Sequence, residues 1–501
     1  MTNKSSPLVL CWFICGVSSV AVAAPLDAKE TPLAGRRPNI IVILTDDQGY
    51  GDLSCHGNPV LKTPHLDRLH SESARFTQFR ISPTCSPTRA ALMTGRHEFK
   101  NGVTHTIFER ERLTLSATTL PQVLKQAAYT TGIFGKWHLG DEDSYQPDRR
   151  GFDEVFIHGA GGIGQTYPGS CGDAPGNSYF SPVIKHNGRF VKTDGYCTDV
   201  FFSQATRWID AVRIQPEPFF AWIATNAPHA PLHVPDEYAA RYAGLGNANL
   251  ARFYGMIANI DDNVGRLMQF LKDAGLEDNT LVIFLNDNGG TIGAPIHNAG
   301  LRATKGTPWE GGVRGISFWR WPGVLSPRDV AAVTAHIDLL PTLADLAGAD
   351  LSGGVREQVE GRSLVPLLND PDANWPPRYL FTHVGRWDAR TRDREAKYAA
   401  CSVRWENYTL VATDPKADGS PWQLFDLSID PGQRKNIAAD RPEIVRQLSD
   451  AYDTWWDSLP PFLVNEQITG PKRNPFHEQY WRQFRGPGPN NVPPPEGFVF
   501  E

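Results

Sequence analysis

Two unbroken runs of branched apolar residues set the terms for this chain. Residues 39–45 read Asn-Ile-Ile-Val-Ile-Leu-Thr, and residues 280–285 read Thr-Leu-Val-Ile-Phe-Leu. A strand with one face in water alternates apolar and polar residues. A continuous run buries both faces, as in a parallel sheet covered by helices on either side. The first run stops at Asp46-Asp47 and the second at Asn286-Asp287-Asn288-Gly289-Gly290. Ahead of the second run, Ile257, Ile260, Val264, Leu267 and Leu271 recur at spacings of three and four. That spacing predicts a helix with one apolar stripe, closed by Gly275. A helix feeding a buried strand is half of a parallel α/β unit, and ligands in such sheets gather beyond the C-terminal strand ends. Two more strands fit the pattern. Residues 131–134 follow a helix at 120–128 and end in Gly135-Lys136-Trp137-His138. Residues 219–224 end in Thr225-Asn226-Ala227-Pro228-His229. Four strands that finish in ionisable residues point to one shared site.

The two ends of the chain read differently. Lys4, an apolar stretch over residues 8–22 and the small-x-small triplet Ala21-Val22-Ala23 predict a signal peptide over residues 1–23. No other segment is long and apolar enough to span a bilayer. This predicts a secreted or periplasmic protein with no membrane span after cleavage. Cys11 and Cys15 lie in the signal, which leaves Cys55, Cys85, Cys171, Cys197 and Cys401, an odd number for an oxidising compartment. Cys171 and Cys197 flank a glycine-rich loop and are a candidate pair. The formal charge of -6 over 501 residues speaks against a nucleic-acid partner. Residues 152–199, rich in Gly, Ser, Asn and Tyr, read as long loops over the active face. From residue 375 the pattern changes to short strands at 379–384, 398–405 and 408–412, with a turn at Glu406-Asn407, followed by a helix at 442–459. The expected organisation is a catalytic domain at 36–372, a C-terminal subdomain at 375–485 and an extended Pro/Gly-rich tail at 486–501. The expected fold class is α/β: a large mixed, mostly parallel sheet sandwiched by helices, with a smaller antiparallel-sheet-plus-helix subdomain.

The chemistry concentrates at Pro83-Thr84-Cys85-Ser86-Pro87-Thr88-Arg89-Ala90-Ala91-Leu92-Met93-Thr94-Gly95. Read locally, Ser86 is an N-cap, Pro87 suits the first helical position and Gly95 terminates the helix. Cys85 then sits just outside a helix N-terminus, where backbone amides favour an anion, with Arg89 on the first turn. Asp46, Asp47, Asp287 and Asn288 are hard oxygen ligands of the kind calcium or magnesium requires, whereas zinc would want more His or Cys there.

Cys-x-Pro-x-Arg followed by Ala-Ala-Leu-Met-Thr-Gly resembles the signature of the type I, formylglycine-dependent sulfatases of the alkaline phosphatase-like superfamily. Residues 129–138 resemble a second motif of that family, with Ala128 in place of a glycine and Phe134 in place of a smaller residue. Asp46-Asp47-Gln48-Gly49, Pro228-His229-Ala230-Pro231, Asn286-Asp287-Asn288-Gly289, Lys305 ahead of Trp309-Glu310-Gly311-Gly312, and Asp338-Leu339-Leu340-Pro341-Thr342 follow in the family's order. The resemblance implies that a formylglycine-generating enzyme oxidises Cys85 to 3-oxoalanine (formylglycine), guided by Pro87 and Arg89. It implies one Ca2+, with Mg2+ left open by the residues themselves, on Asp46, Asp47, residue 85, Asp287 and Asn288. It also implies a mechanism. The hydrated aldehyde attacks sulfur through one hydroxyl, His229 and Lys305 protonate the leaving alcohol, and His138 deprotonates the second hydroxyl to expel sulfate. Arg89 and Lys136 hold the diol and offset charge. The expected activity is hydrolysis of sulfate esters, arylsulfatase-like, on a sulfated small molecule or carbohydrate. Two other readings compete: a phosphate or phosphonate esterase on the same fold, and a glycan-binding protein with a decayed site, against which the presence of every expected ionisable group speaks. His297, Arg302 and His383 are further candidates for substrate contact.

Overall fold

The structure, a computed structural model, describes residues 1–2, 33–388, 396–414 and 421–500. The predicted signal peptide, with Cys11 and Cys15, lies outside the described residues.

A large sheet contains β1 (Asn39–Thr45), β2 (Ala74–Arg80), β3 (Thr130–Lys136), β4 (Glu154–His158), β5 (Val183–His186), β6 (Arg189–Lys192), β7 (Phe219–Ala224), β8 (Thr280–Asn286), β9 (Ser317–Arg320) and β10 (Arg328–Ala335). Their spatial order is β10-β2-β9-β8-β1-β7-β3-β4-β5-β6. The four strands read from the sequence are therefore neighbours at the centre, β8-β1-β7-β3, and all run parallel. Antiparallel pairs at β9 and at the β5–β6 hairpin make the sheet mixed.

The continuous apolar runs do bury both faces. Along β1, Ile40, Val42 and Leu44 join one core, and Ile41 and Ile43 join the other. Helices Leu120–Gln126 and Leu339–Ala347 cover the first face; Cys197–Val212 and Ala248–Asp273 cover the second. The stripe Ile257, Ile260, Val264, Leu267, Leu271 is fully buried on that second face. Asn247 caps this helix by accepting the Leu250 amide at 3.1 Å, and Gly275 follows its end in the left-handed region at φ 68°.

A separate antiparallel sheet, β11 (Leu380–His383), β12 (Cys401–Trp405), β13 (Tyr408–Ala412) and β14 (Gln423–Asp426), packs under the helix Pro442–Asp457. Strand β14 is an addition to the three strands expected.

Three expectations need correction. Residues 152–199 are not all loop: β4 extends the sheet beside β3, and β5–β6 continue it. Their short, mixed segments carry no continuous apolar signal, because they lie toward the sheet edge. The tail is not extended. It folds back on the helix Pro475–Phe484, where Tyr480 Oη donates to Pro487 O at 3.0 Å and Trp481 Nε1 donates to Val492 O at 2.9 Å. Cys171 and Cys197 are buried thiols that form no disulfide among the described residues. Cys197 begins a helix in the second core, while Cys171 faces Thr106 O, 3.9 Å away.

Candidate active site

Register explains why the strand-end residues meet. Thr45 of β1 pairs with Asn286 of β8, so Asp46 and Asp287 are the next residues on adjacent parallel strands. Leu44 and Gly135 both pair with Ala224 of β7, which brings Lys136 to the same edge. Gly135 has φ 109°, and a Cβ there would lie 2.0 Å from Ala224 O. Only glycine lets β3 approach β7 this closely just before the lysine.

The helix Cys85–Thr94 points its N-terminus at this edge. Cys85 is its first residue and Thr84 the N-cap, a correction to the sequence reading, which put Cys85 outside and Ser86 at the cap. Ser86 Oγ instead donates to His138 O at 2.9 Å, tying the helix to the segment after β3. Gly95 ends the helix at φ 65°, as expected.

Charge is arranged in interlocking pairs. Lys136 Nζ donates to Asp46 Oδ2 at 2.5 Å, with both side chains fully buried. Arg89 donates to Asp287 Oδ2 from Nη2 at 2.7 Å and Nε at 3.1 Å, and to Lys136 O from Nη1 at 3.0 Å. Asp47 Oδ1 accepts from Lys305 Nζ, and from Asn288 Nδ2 at 2.9 Å. His229 Nε2 stands 4.0 Å from Asp47 Oδ2. Cys85 Sγ and one oxygen each of Asp46 and Asp287 fall within 4.8 Å of one another. All the predicted catalytic and metal residues thus converge.

The protonation states follow from this packing. Burial pushes Asp46 up to about 6 against the pull of Lys136. Burial and the Asp46 carboxylate raise Asp287. Burial alone would raise Asp47, but Lys305 and His229 outweigh it and hold the carboxyl below its ordinary range. Burial alone would lower Lys305, yet the surrounding anions, Asp47 first, raise it. Burial opposes a Cys85 thiolate, but Lys136, Lys305 and His229 bring the thiol below its ordinary value. Both histidines are pushed down, chiefly by burial.

The oxygen set fits a hard divalent ion. Among the described residues, Asp46 Oδ1 and Asn288 Oδ1 are buried without a hydrogen-bond partner, an arrangement costly unless a cation satisfies them. His138 is also informative. Its Nε2 lies 2.9 Å from Thr106 O, and a carbonyl can only accept, so Nε2 carries the hydrogen. The lone pair is then on Nδ1, which is buried and has no hydrogen-bond partner among the described residues.

The other candidates are engaged elsewhere. His297 Nε2 lies 3.0 Å from His56 O. Arg302 stacks over Trp309 at 3.5 Å and donates to Gln433 O. His383 is buried with Nε2 2.8 Å from Ala396 O. Glu310, read only as part of a motif, binds Arg80 and Arg314 as a buried bridge. An acid beside Gly311-Gly312 gives no sequence hint of that role.

Comparison with known proteins gives a consistent answer. The sulfatase family model matches residues 38–349, and that of the N-sulphoglucosamine sulphohydrolase C-terminal region matches 309–453. The chain is 30% identical to arylsulfatase J of Mus musculus, over 88% of this chain and 79% of the relative. It is 30% identical to N-acetylgalactosamine-6-sulfatase of Homo sapiens, over 83% of this chain and 84% of the relative. The solved structure of Ps i-CgsB in complex with k-i-k-neocarrahexaose superposes with a TM-score of 0.73, at 28% identity, covering 84% of this chain and 93% of that one. With the motifs in register around one strand-end cluster and likeness running along most of the chain, the protein belongs to the sulfatase family and is a sulfuric ester hydrolase.

Proposed function

We propose that the protein desulfates a sulfated carbohydrate in the periplasm or outside the cell, using a formylglycine made from Cys85 and one calcium ion. The observation that carries this reading is the buried cluster itself, in which a cysteine at a helix N-terminus feels Lys136, Lys305 and His229 and lies beside carboxylate oxygens of Asp46 and Asp287. Among the described residues no helix is long and apolar enough to cross a membrane. The carbohydrate part rests on a relative named N-acetylgalactosamine-6-sulfatase and on a similar structure solved in complex with k-i-k-neocarrahexaose.

Asp46, Asp47, Asp287 and Asn288 are the residues that would hold the ion, beside residue 85. The two groups supply polarisation of the sulfate oxygens and a hydroxyl nucleophile with a second hydroxyl for release. The chain's own residues do the rest. Arg89 fixes the Asp287 carboxylate from two nitrogens, and Lys136 holds Asp46 from Nζ alone. Lys305 and His229 flank Asp47 on the open side, placed to stabilise and protonate the departing alkoxide. His138, neutral and with Nδ1 bare, is the base that frees the product sulfate.

The test is hydrolysis of nitrophenyl sulfate by protein co-produced with a formylglycine-generating enzyme, with calcium present. Wild type is expected to turn over and Cys85→Ala to be inactive, with mass spectrometry showing conversion at residue 85. A fully converted wild type that cleaves neither aryl nor carbohydrate sulfates sinks the reading.

A further inference from the structure

A second cluster of metal-type ligands lies outside the site described above. Cys55 and His56 stand in the short turn Ser54–His56 that follows the β1 loop, and His70 in the last turn of the helix Pro64–Ser71. One ligand atom from each lies within 4.8 Å of the other two, and all three side chains are half-buried.

We propose that Cys55, His56 and His70 bind a borderline-soft divalent cation of the zinc type, separate from the oxygen-ligand site on Asp46, Asp47, Asp287 and Asn288. One sulfur and two imidazole nitrogens form the donor set that zinc accepts and calcium rejects. The tautomer suits it. His56 Nδ1 lies 2.7 Å from Tyr50 O, so Nδ1 must donate and the lone pair stands on Nε2. An imidazole held this way by a backbone carbonyl is the arrangement that orients metal-bound histidines. The rings are further fixed by packing. Tyr50 stacks on His56 at 4.1 Å, and Phe318 meets His56 at 5.5 Å and His70 at 5.0 Å edge-on. Asp67 Oδ1 accepts the Cys55 amide at 3.0 Å and anchors the turn.

In a tetrahedral zinc site, donor atoms stand roughly 3.3–3.8 Å apart, so closure from separations within 4.8 Å needs at most roughly 1.5 Å of side-chain movement. Three protein ligands leave a fourth position for water. The ion clips the turn downstream of Asp46-Asp47 to the neighbouring helix. It also gives a role to a half-buried thiol that forms no disulfide among the described residues.

The experiment adds Co2+ to metal-stripped, calcium-saturated protein in the Cys85→Ala background, which removes the other site's thiol. A thiolate-to-cobalt charge-transfer band is expected, saturating at one equivalent and displaced by Zn2+. Cys55→Ser is expected to abolish the band, and His70→Ala to weaken binding at least tenfold. Circular dichroism checks the fold, and His70→Ala carries the test if Cys55→Ser misfolds. No band in the parent, saturation only at large excess, or a band unchanged in the variants overturns the proposal.

Discussion

His229 is pulled in two directions. Its Nδ1 lies 2.6 Å from Ala230 O and must donate, and its Nε2 faces the acceptor-only Asp47 carboxylate. Geometry favours the imidazolium, while burial pushes the pKa below the ordinary 6.5. A group that must be protonated to donate, with a lowered pKa, loses its active form as pH rises through the range below neutrality. The expected pH profile of kcat on a carbohydrate sulfate therefore falls from acid toward neutral. His229→Ala is expected to cost about 10²-fold or more on a poor alkoxide leaving group but only about tenfold on nitrophenyl sulfate, whose leaving group needs little protonation. Equal losses on both substrates would remove His229 from the proton-donor role. Lys305, raised by Asp47, stays charged throughout and is expected to supply the pH-independent share.

Among elements, the loops after β1 and β8 cross with almost no clearance. A Cβ on Gly49 would meet Gly290 Cα at 2.5 Å. Gly49→Ala is expected to push Asp47 away from Asp287 and Asn288. Loss of about 10²-fold in kcat/KM with weakened calcium dependence should follow, since a displacement near 1 Å suffices for that; unchanged kinetics would mean the loops are free to yield. A second prediction concerns the Glu310 bridge, which joins the end of β2 to the segment before β9. Burial would raise this carboxyl, but Arg80 and Arg314 overcome it and hold it down at about 2. A depressed folded pKa gives stability that is complete above the unfolded value of 4.5 and lost as pH falls toward 2. The amount is on the order of 3 kcal/mol. Glu310→Gln should lower the urea midpoint at pH 7 and flatten the loss between pH 4.5 and 2. The same scale shows what the sequence made legible. β1, β3, β7 and β8 were readable because burial on both faces forces continuous apolar composition, and their terminal residues followed. β6, with an Arg-Phe-Val-Lys pattern, and β10, only partly buried, carry no such signature. The cap of the Cys85 helix was misplaced because local propensity favours Ser86, whereas tertiary bonding gives that hydroxyl to His138 O.

For the whole molecule, the small sheet has its own core but is docked on residues of the larger part, within one compact unit from Leu33 onward. Phe99 packs among Trp387, Cys401 and Trp455, and Trp309 packs against Val411 and Phe425. A fragment of residues 36–372 would expose these surfaces. It is expected to show no cooperative thermal transition, while the longer chain melts in one; a fragment with a sharp transition of its own would contradict this. Finally, Cys85 is 3% exposed, and every residue of its helix is buried. No enzyme can grasp residues 85–89 once the chain has closed around them. On the function proposed above, conversion of the thiol would be a race against collapse, run once for each molecule. The fraction of active protein would then be a yield fixed at synthesis, set by how long the nascent chain stays open, and a molecule that folds unconverted would remain so until it unfolds.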